Sequence, residues 1–223
     1  MNPSQFAAKL DATNLKLDAT EKDIRTLCAA AKIAQYAAVC VYPSYVSLCA
    51  DLLQDSGVKV CTVIGFPHGC SSIAVQSLQV QEAAANGASE VDLVMQHAGL
   101  RAGEDKRVAD QTLKLCETAR NADLVSKVIV ETCYFSEAEK LAALRICEQA
   151  GADFIKTSTG FGSAGSTIDD VRLFKKHRST SIKIKASGGI RTLDTALALL
   201  DAGAERLGVS AANSLLEQVF TQR

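Results

Sequence analysis

No tryptophan occurs in the 223 residues, and aromatic side chains make up only 5%. The chain therefore offers no row of stacking aromatics on which bases or sugar rings could lie. An excess of charge of one sign is missing as well. With 24 Lys and Arg against 25 Asp and Glu the formal net charge is −1, so electrostatics favour neither nucleic acid nor an anionic membrane as a partner. No apolar run approaches the roughly 20 residues of a membrane span. The N-terminus, MNPSQFAAKLDATN, is broken by polar and acidic residues too early to read as a secretory signal. Prolines number only 3, and no low-complexity stretch or linker divides the chain, so a single domain over residues 1–223 is expected. His68, His97 and His177 share no metal-ligand spacing, and no G-x-S-x-G elbow is present. His68, in GFPHGC, reads as structural or as a residue at the edge of a site. Neither a metal nor an organic cofactor is implied.

Cysteine, by contrast, is plentiful at 8 residues. The cysteines lie scattered in apolar runs such as AAVCVYP, VKVCTVIG and RICEQAG, with no C-x-x-C pair and no Cys/His cluster. That distribution reads as reduced thiols packed into the core of a cytoplasmic protein rather than as disulfides or a zinc site.

What recurs along the chain is an alternation. Seven short β-rich runs, at 36–43, 58–67, 90–95, 126–132, 152–157, 181–187 and 205–210, are apolar nearly throughout, as in strands covered on both faces. Between them lie segments of helical period, including 72–87, 104–122, 136–150 and 192–202. Three helix ends share one phrase, AANGASEVD, CEQAGADFI and LLDAGAERL, in which glycine closes the helix just before the next strand. The segment KLDATNL, at 9–15, supplies an eighth strand preceded by a short helix. Eight β/α units in this length predict an α/β fold, a single-domain (β/α)8 TIM barrel with a short N-terminal helix. An open doubly wound sheet is the alternative. In a barrel, functional groups belong at the C-terminal ends of strands and in the loops that follow.

Sorted by that rule, Asp11, Asp92, Glu131, Lys156 and Lys185 gather at one mouth, whereas Lys127 and Lys183 sit near strand starts and read as solvated. The lysines are followed by TSTGFGSAG and ASGGIRTLDTA, and the last strand by GVSAANSLL. Small residues let backbone N–H groups approach an anion, and a helix N-terminus adds its dipole. Loops after strands seven and eight of such barrels often hold phosphate, so a small phosphorylated substrate is implied. GFGSAG matches G-x-G-x-x-G, but the next strand ends in lysines where the dinucleotide motif wants an acid.

A lysine of pKa near 10.4 is neutral in roughly one molecule in 2,500 at pH 7. Attack on a carbonyl needs the proton lost about a thousandfold more readily, about 4 kcal/mol, and a second ammonium at ~4 Å supplies repulsion of that size. Two lysines at a partly closed mouth thus make a nucleophilic amine possible, with an imine as the electron sink for C–C chemistry and Asp92 moving protons. A purely structural ion-pair network, in a barrel that binds but does not turn over a phosphosugar, is the competing reading.

ADFIKTSTGF, IKASGGIRT, EVDLV, VIVETC and VCVYP together resemble the deoxyribose-phosphate aldolase family of class I aldolases, over about Leu10 to Leu216, and K-T-S-T-G joined to K-A-S-G-G is highly specific to it. The resemblance implies a barrel enzyme interconverting 2-deoxy-D-ribose 5-phosphate with acetaldehyde and D-glyceraldehyde 3-phosphate. Its partners would be a small phosphorylated sugar and short aldehydes, with a second copy in a homodimer. It implies Lys156 as the Schiff-base lysine, Lys185 as the neighbour that perturbs it, and Asp92 as proton carrier. Asp11, Thr13 and Cys40 would lie beside the site, and Thr159, Gly160, Gly188, Gly189, Gly208 and Ser210 on its phosphate side. The chain departs from the family pattern at Ala12, where many members carry His, in MQHAGL after the fourth strand, at Ala211, and in ending FTQR rather than in tyrosine.

Overall fold

A computed structural model describes residues 1–179 and 181–221; of the terminal FTQR, Gln222 and Arg223 lie outside the described residues. Eight parallel strands close into a barrel in chain order. They are β1 (Leu10–Asn14), β2 (Ala38–Val41), β3 (Lys59–Ile64), β4 (Glu90–Val94), β5 (Val125–Ile129), β6 (Phe154–Lys156), β7 (Lys183–Ser187) and β8 (Arg206–Val209). Closure is made by β1 and β8, with Leu10 beside Leu207, Asp11 beside Gly208 and Ala12 beside Val209. That pairing excludes the open sheet. Every strand expected from the sequence is present, most of them shortened by turns, while β5 starts one residue earlier than expected. Pro43–Tyr45 and Thr132–Tyr134, for example, form single 3-10 turns.

Among the described residues ten helices surround the strands: α1 (Pro3–Ala7), α2 (Glu21–Ala34), α3 (Val46–Leu53), α4 (Ile73–Ala85), α5 (His97–Arg101), α6 (Asp105–Asn121), α7 (Glu137–Gln149), α8 (Ile168–His177), α9 (Leu193–Ala202) and α10 (Ala212–Thr221). Their starts follow from capping chemistry. Asn2 with Gln5, Thr20 with Asp23 and Ser136 with Glu139 form capping boxes, each pair satisfying two N–H groups that the first helical turn leaves free. The recurring glycines Gly87, Gly151 and Gly203 all take positive φ between a helix and the next strand. The short α1 buries Phe6 and packs against α10. Among the described residues no helix is long and apolar enough to cross a membrane. All eight cysteines are free thiols.

Why the strands look apolar and yet hold a polar site follows from their period of two. Outward-facing Leu10, Val39, Val60, Val91, Leu93, Val128, Ile155, Ile184 and Leu207 belong to one continuous core under the helices. Fully burying a side chain of this size stabilises the fold by about 1.5–3 kcal/mol, so the strand–helix interface carries most of the stability. The alternate residues, which face the barrel axis, are left free for other work.

Candidate active site

Seven charged side chains meet inside the barrel: Asp11, Glu90, Asp92, Lys127, Lys156, Lys185 and Arg206. Asp92, from the middle of β4, is the hub. Its Oδ2 accepts from Lys156 Nζ at 2.5 Å and from Lys185 Nζ at 2.8 Å, while its Oδ1 accepts from Lys127 Nζ at 2.9 Å. Lys156 and Lys185, paired in register across β6 and β7, thus reach the same oxygen, and their nitrogens are close neighbours. Lys185 also lies 2.5 Å from Asp11 Oδ2. The guanidinium of Arg206 clamps Asp11 Oδ1 through Nε at 2.7 Å and lies 3.0 Å from Glu90 Oε2.

Burial and charge pull in opposite directions here, and charge wins. Burial alone raises the carboxyl pKa of Asp92, but the ammonium groups of Lys127, Lys156 and Lys185 hold it well below the usual carboxylate range. Asp11 is likewise lowered by Lys185, Arg206 and Lys127 against its burial. Burial would lower Lys185, yet Asp11 and Asp92 hold it above the ordinary lysine value, so it stays a fixed positive charge beside Lys156. Lys156 stands at the end of β6 and is the ammonium group nearest the open mouth, with 5% of its side chain exposed, against none for Lys127 or Lys185.

Above this cluster the loops are braced differently. Glu131, at positive φ after β5, receives the Thr159 N–H at 3.2 Å and also the Thr159 hydroxyl. Burial raises its pKa, partly offset by those bonds. Thr159 is therefore committed to an acid on the β5 side. Gly160, Gly165 and Gly188 instead meet backbone to backbone: a Cβ on Gly188 would lie 3.1 Å from Gly165 Cα and 3.4 Å from Gly160 Cα. Gly188 and Gly189 both hold φ near +80°, at 81° and 75°, a conformation strained for any other residue. Gly208 gives room of another kind, since a Cβ there would press on Lys185 Cε at 3.3 Å. Ser210 is exposed at the tip of β8, and Thr192 caps α9 as expected. Thr13 is partly buried and donates its hydroxyl to Asp11 O at 2.9 Å. Cys40 is buried, and with Cys61 and Asp92 it brings three ligand-type atoms within 4.8 Å of one another.

Glu131, Thr159 and Phe161 border a cleft of about 410 Å³ whose other side carries His68, His97 and Arg101. Phe161 contacts Phe66 edge-on at 5.3 Å, and Phe66 contacts Tyr42 edge-on at 6.1 Å, so the three rings meet edge to face rather than in a stack. A larger surface groove, about 590 Å³, lies against α6 among Lys106, Arg107, Asp110 and Lys114, away from the lysine cluster.

The expectation that Lys127 is solvated is overturned: it is fully buried and ion-paired to Glu90 at 2.7 Å. Barrel strands are tilted and staggered, so position along one strand does not give height in the barrel. Lys127 stands in register with Asp92. Lys183 is exposed as expected, its ammonium 5.5 Å from the Phe154 ring. Glu90, Arg206 and Cys61 also belong to the cluster, though no local sequence motif marks them. The signal that could have found them is the inward period, which puts Glu90 with Asp92 and sets Lys185 beside Arg206.

This barrel, with two lysines sharing an aspartate inside it, has close counterparts among known proteins. The family model described as DeoC/LacD family aldolase matches residues 6–215. The chain is 43% identical to a deoxyribose-phosphate aldolase of Carboxydothermus hydrogenoformans, over 97% of this chain and 96% of that one. It is 44% identical to one from Desulfitobacterium hafniense, over 94% and 96%. The structure of deoxyribose phosphate aldolase from Aeropyrum pernix, a tetramer, superposes with a TM-score of 0.92 at 30% identity, covering 100% of this chain and 94% of that one. The chain belongs to the DeoC/LacD aldolase family and is an enzyme of the lyase class.

Proposed function

We propose that this enzyme is a deoxyribose-phosphate aldolase, reversibly cleaving 2-deoxy-D-ribose 5-phosphate to acetaldehyde and D-glyceraldehyde 3-phosphate through a Schiff base on Lys156. The observation that carries the proposal is the shared oxygen, Asp92 Oδ2, reached by both Lys156 and Lys185. Lys156, at the end of β6, is the ammonium group of the cluster nearest the mouth, where a substrate can reach it.

The neutral Lys156 amine adds to the C1 aldehyde of the open-chain sugar, and loss of water gives the iminium. The C2–C3 bond then breaks. Its electron pair moves into the C=N⁺ sink, giving an enamine, while the C3 hydroxyl gives up its proton and becomes the aldehyde of D-glyceraldehyde 3-phosphate. Asp92, directly or through water, takes and returns that proton, so that C2 is protonated before hydrolysis frees acetaldehyde and Lys156. Lys185, held cationic by Asp11 and Asp92, resists protonation of its neighbour throughout.

Gly188, Gly189, Gly208 and Ser210 are assigned to the phosphate, supported by the positive φ of the first two and by the helices that follow these loops. Thr159 is better read as a brace for Glu131, with Gly160 closing the rim beside Gly188. The test is turnover. Purified enzyme given 2-deoxyribose 5-phosphate should release D-glyceraldehyde 3-phosphate, with a higher kcat/KM than on ribose 5-phosphate or fructose 1,6-bisphosphate. No release, or a preference for another sugar phosphate, contradicts the assignment.

A further inference from the structure

Lys127 has no step in the chemistry above, yet it is the most enclosed cation of the cluster, with no exposed surface. The groups facing it come from four strands: Asp11 at 3.9 Å from β1, Cys61 Sγ at 3.2 Å from β3, Glu90 at 2.7 Å and Asp92 at 2.9 Å from β4, and the Lys185 charge from β7. Glu90 is held from its other side by Arg206, so Lys127 stands on a fixed footing. Lys156 in turn is faced by Asp92 from β4, Glu131 from the end of β5, Lys185 from β7 and the Cys40 thiol from β2.

Two consequences follow from that placement. A carboxylate turns easily about its terminal torsion, and with Lys127 on Oδ1 the other oxygen of Asp92 is left to Lys156 and Lys185 together. Its charge matters too. Lys127 sets one buried positive charge against Glu90 and Asp92, and its loss would leave those carboxylates less opposed.

We propose that Lys127 is a positioning residue for the aldol reaction, turning Asp92 Oδ2 toward the lysine pair and adding one positive charge to the buried cluster. The proposal rests on the reading of Lys156 as the Schiff-base lysine. The experiment follows borohydride trapping of acetaldehyde against pH, together with kcat, KM and thermal melts, in wild type, Lys127→Met and the double variant Lys127→Met/Glu90→Gln. Loss of one nearby charge should move the pH midpoint of trapping in Lys127→Met upward by about one unit or more. A freed Asp92 should lower kcat about 100-fold, with KM changed only a few-fold.

The double variant removes one cation and one anion. Its midpoint should return close to wild type while kcat stays low, a split that a merely structural role would not produce. A folded Lys127→Met with wild-type midpoint and kcat overturns the proposal. If that variant does not fold, the double variant decides by kcat alone: a low value supports the role and a wild-type value overturns it. No adduct in wild type at any pH would overturn the Schiff-base reading itself, and this proposal with it. An adduct with an unchanged pH profile in folded Lys127→Met would overturn only the latter.

Discussion

The two sides of the barrel interior are built from opposite materials. On β2 and β3 the inward residues Ala38, Cys40, Cys61 and Val63 form a small apolar wall, extended by Leu15, Tyr42 and Phe66. The other six strands contribute seven charges that satisfy one another through Asp92 and Asp11. The difference teaches what each side can do. Low-polarity walls keep water off a reacting imine and strengthen the fields acting on it. The charged side supplies the amine, the proton carrier and the fixed positive charge. The two meet at Cys61, whose Sγ lies 3.2 Å from Asp92 Oδ1 and 3.2 Å from Lys127 Nζ.

If that division is right, substitutions on the charged side should be far more damaging than those on the wall. Lys156→Ala should abolish cleavage of 2-deoxyribose 5-phosphate, with kcat/KM down on the order of 10⁴-fold or more in a coupled assay, because no other amine sits at the mouth. Next comes Asp92→Asn, which leaves three buried ammonium groups around a neutral amide. It should cost about 3–5 kcal/mol of stability by chemical denaturation, with activity lost alongside. Lys185→Leu should lower kcat by about 10²–10³-fold, since it removes the fixed positive charge that shares Asp92 Oδ2 with the Lys156 amine.

Stability should also follow the charged side as pH changes. Asp11 and Asp92 are lowered in the fold, so their contribution is present above the unfolded carboxylate value and is lost as pH falls through their folded values. Lys127 and Lys185 are raised, so theirs is intact below the unfolded lysine value and is lost as pH rises through the folded ones. Away from the cluster, burial lowers His97 to about 4, and its Nε2 has no hydrogen-bond partner. Between its unfolded value of 6.5 and about 4 the unfolded chain gains a proton that the fold refuses, so melting temperature should fall across that window. His97→Phe should flatten that decline in melts taken at each pH. The smallest effect belongs to the wall. Cys61→Ala removes weak thiol contacts to Asp92 and Lys127 and should change kcat/KM by less than about threefold; a loss as large as that of Lys185→Leu would erase the contrast between the two sides.

Much of this layout can be read from the chain without coordinates, and the reason is local. Lys156 and Lys185 are marked by the glycine-rich stretches that follow them, and barrel topology sends both to the same face. Asp92 is marked as an acid inside an otherwise apolar strand. Lys127 looks terminal in the sequence, but β5 begins at Val125 and so places it mid-strand beside Asp92, whereas Glu90 and Arg206 open their strands, where a solvated side chain is the ordinary case. The tie between Thr159 and Glu131 depends on how two loops meet, which no local pattern encodes.

Everything above depends on which nitrogen becomes covalently bound. Wild-type enzyme incubated with acetaldehyde, reduced with borohydride, digested and mapped by mass spectrometry should carry a reduced two-carbon group on Lys156. The peptides holding Lys127 and Lys185 should be unmodified. An adduct on either of those lysines, or none at all in enzyme that is turning over substrate, would contradict the account.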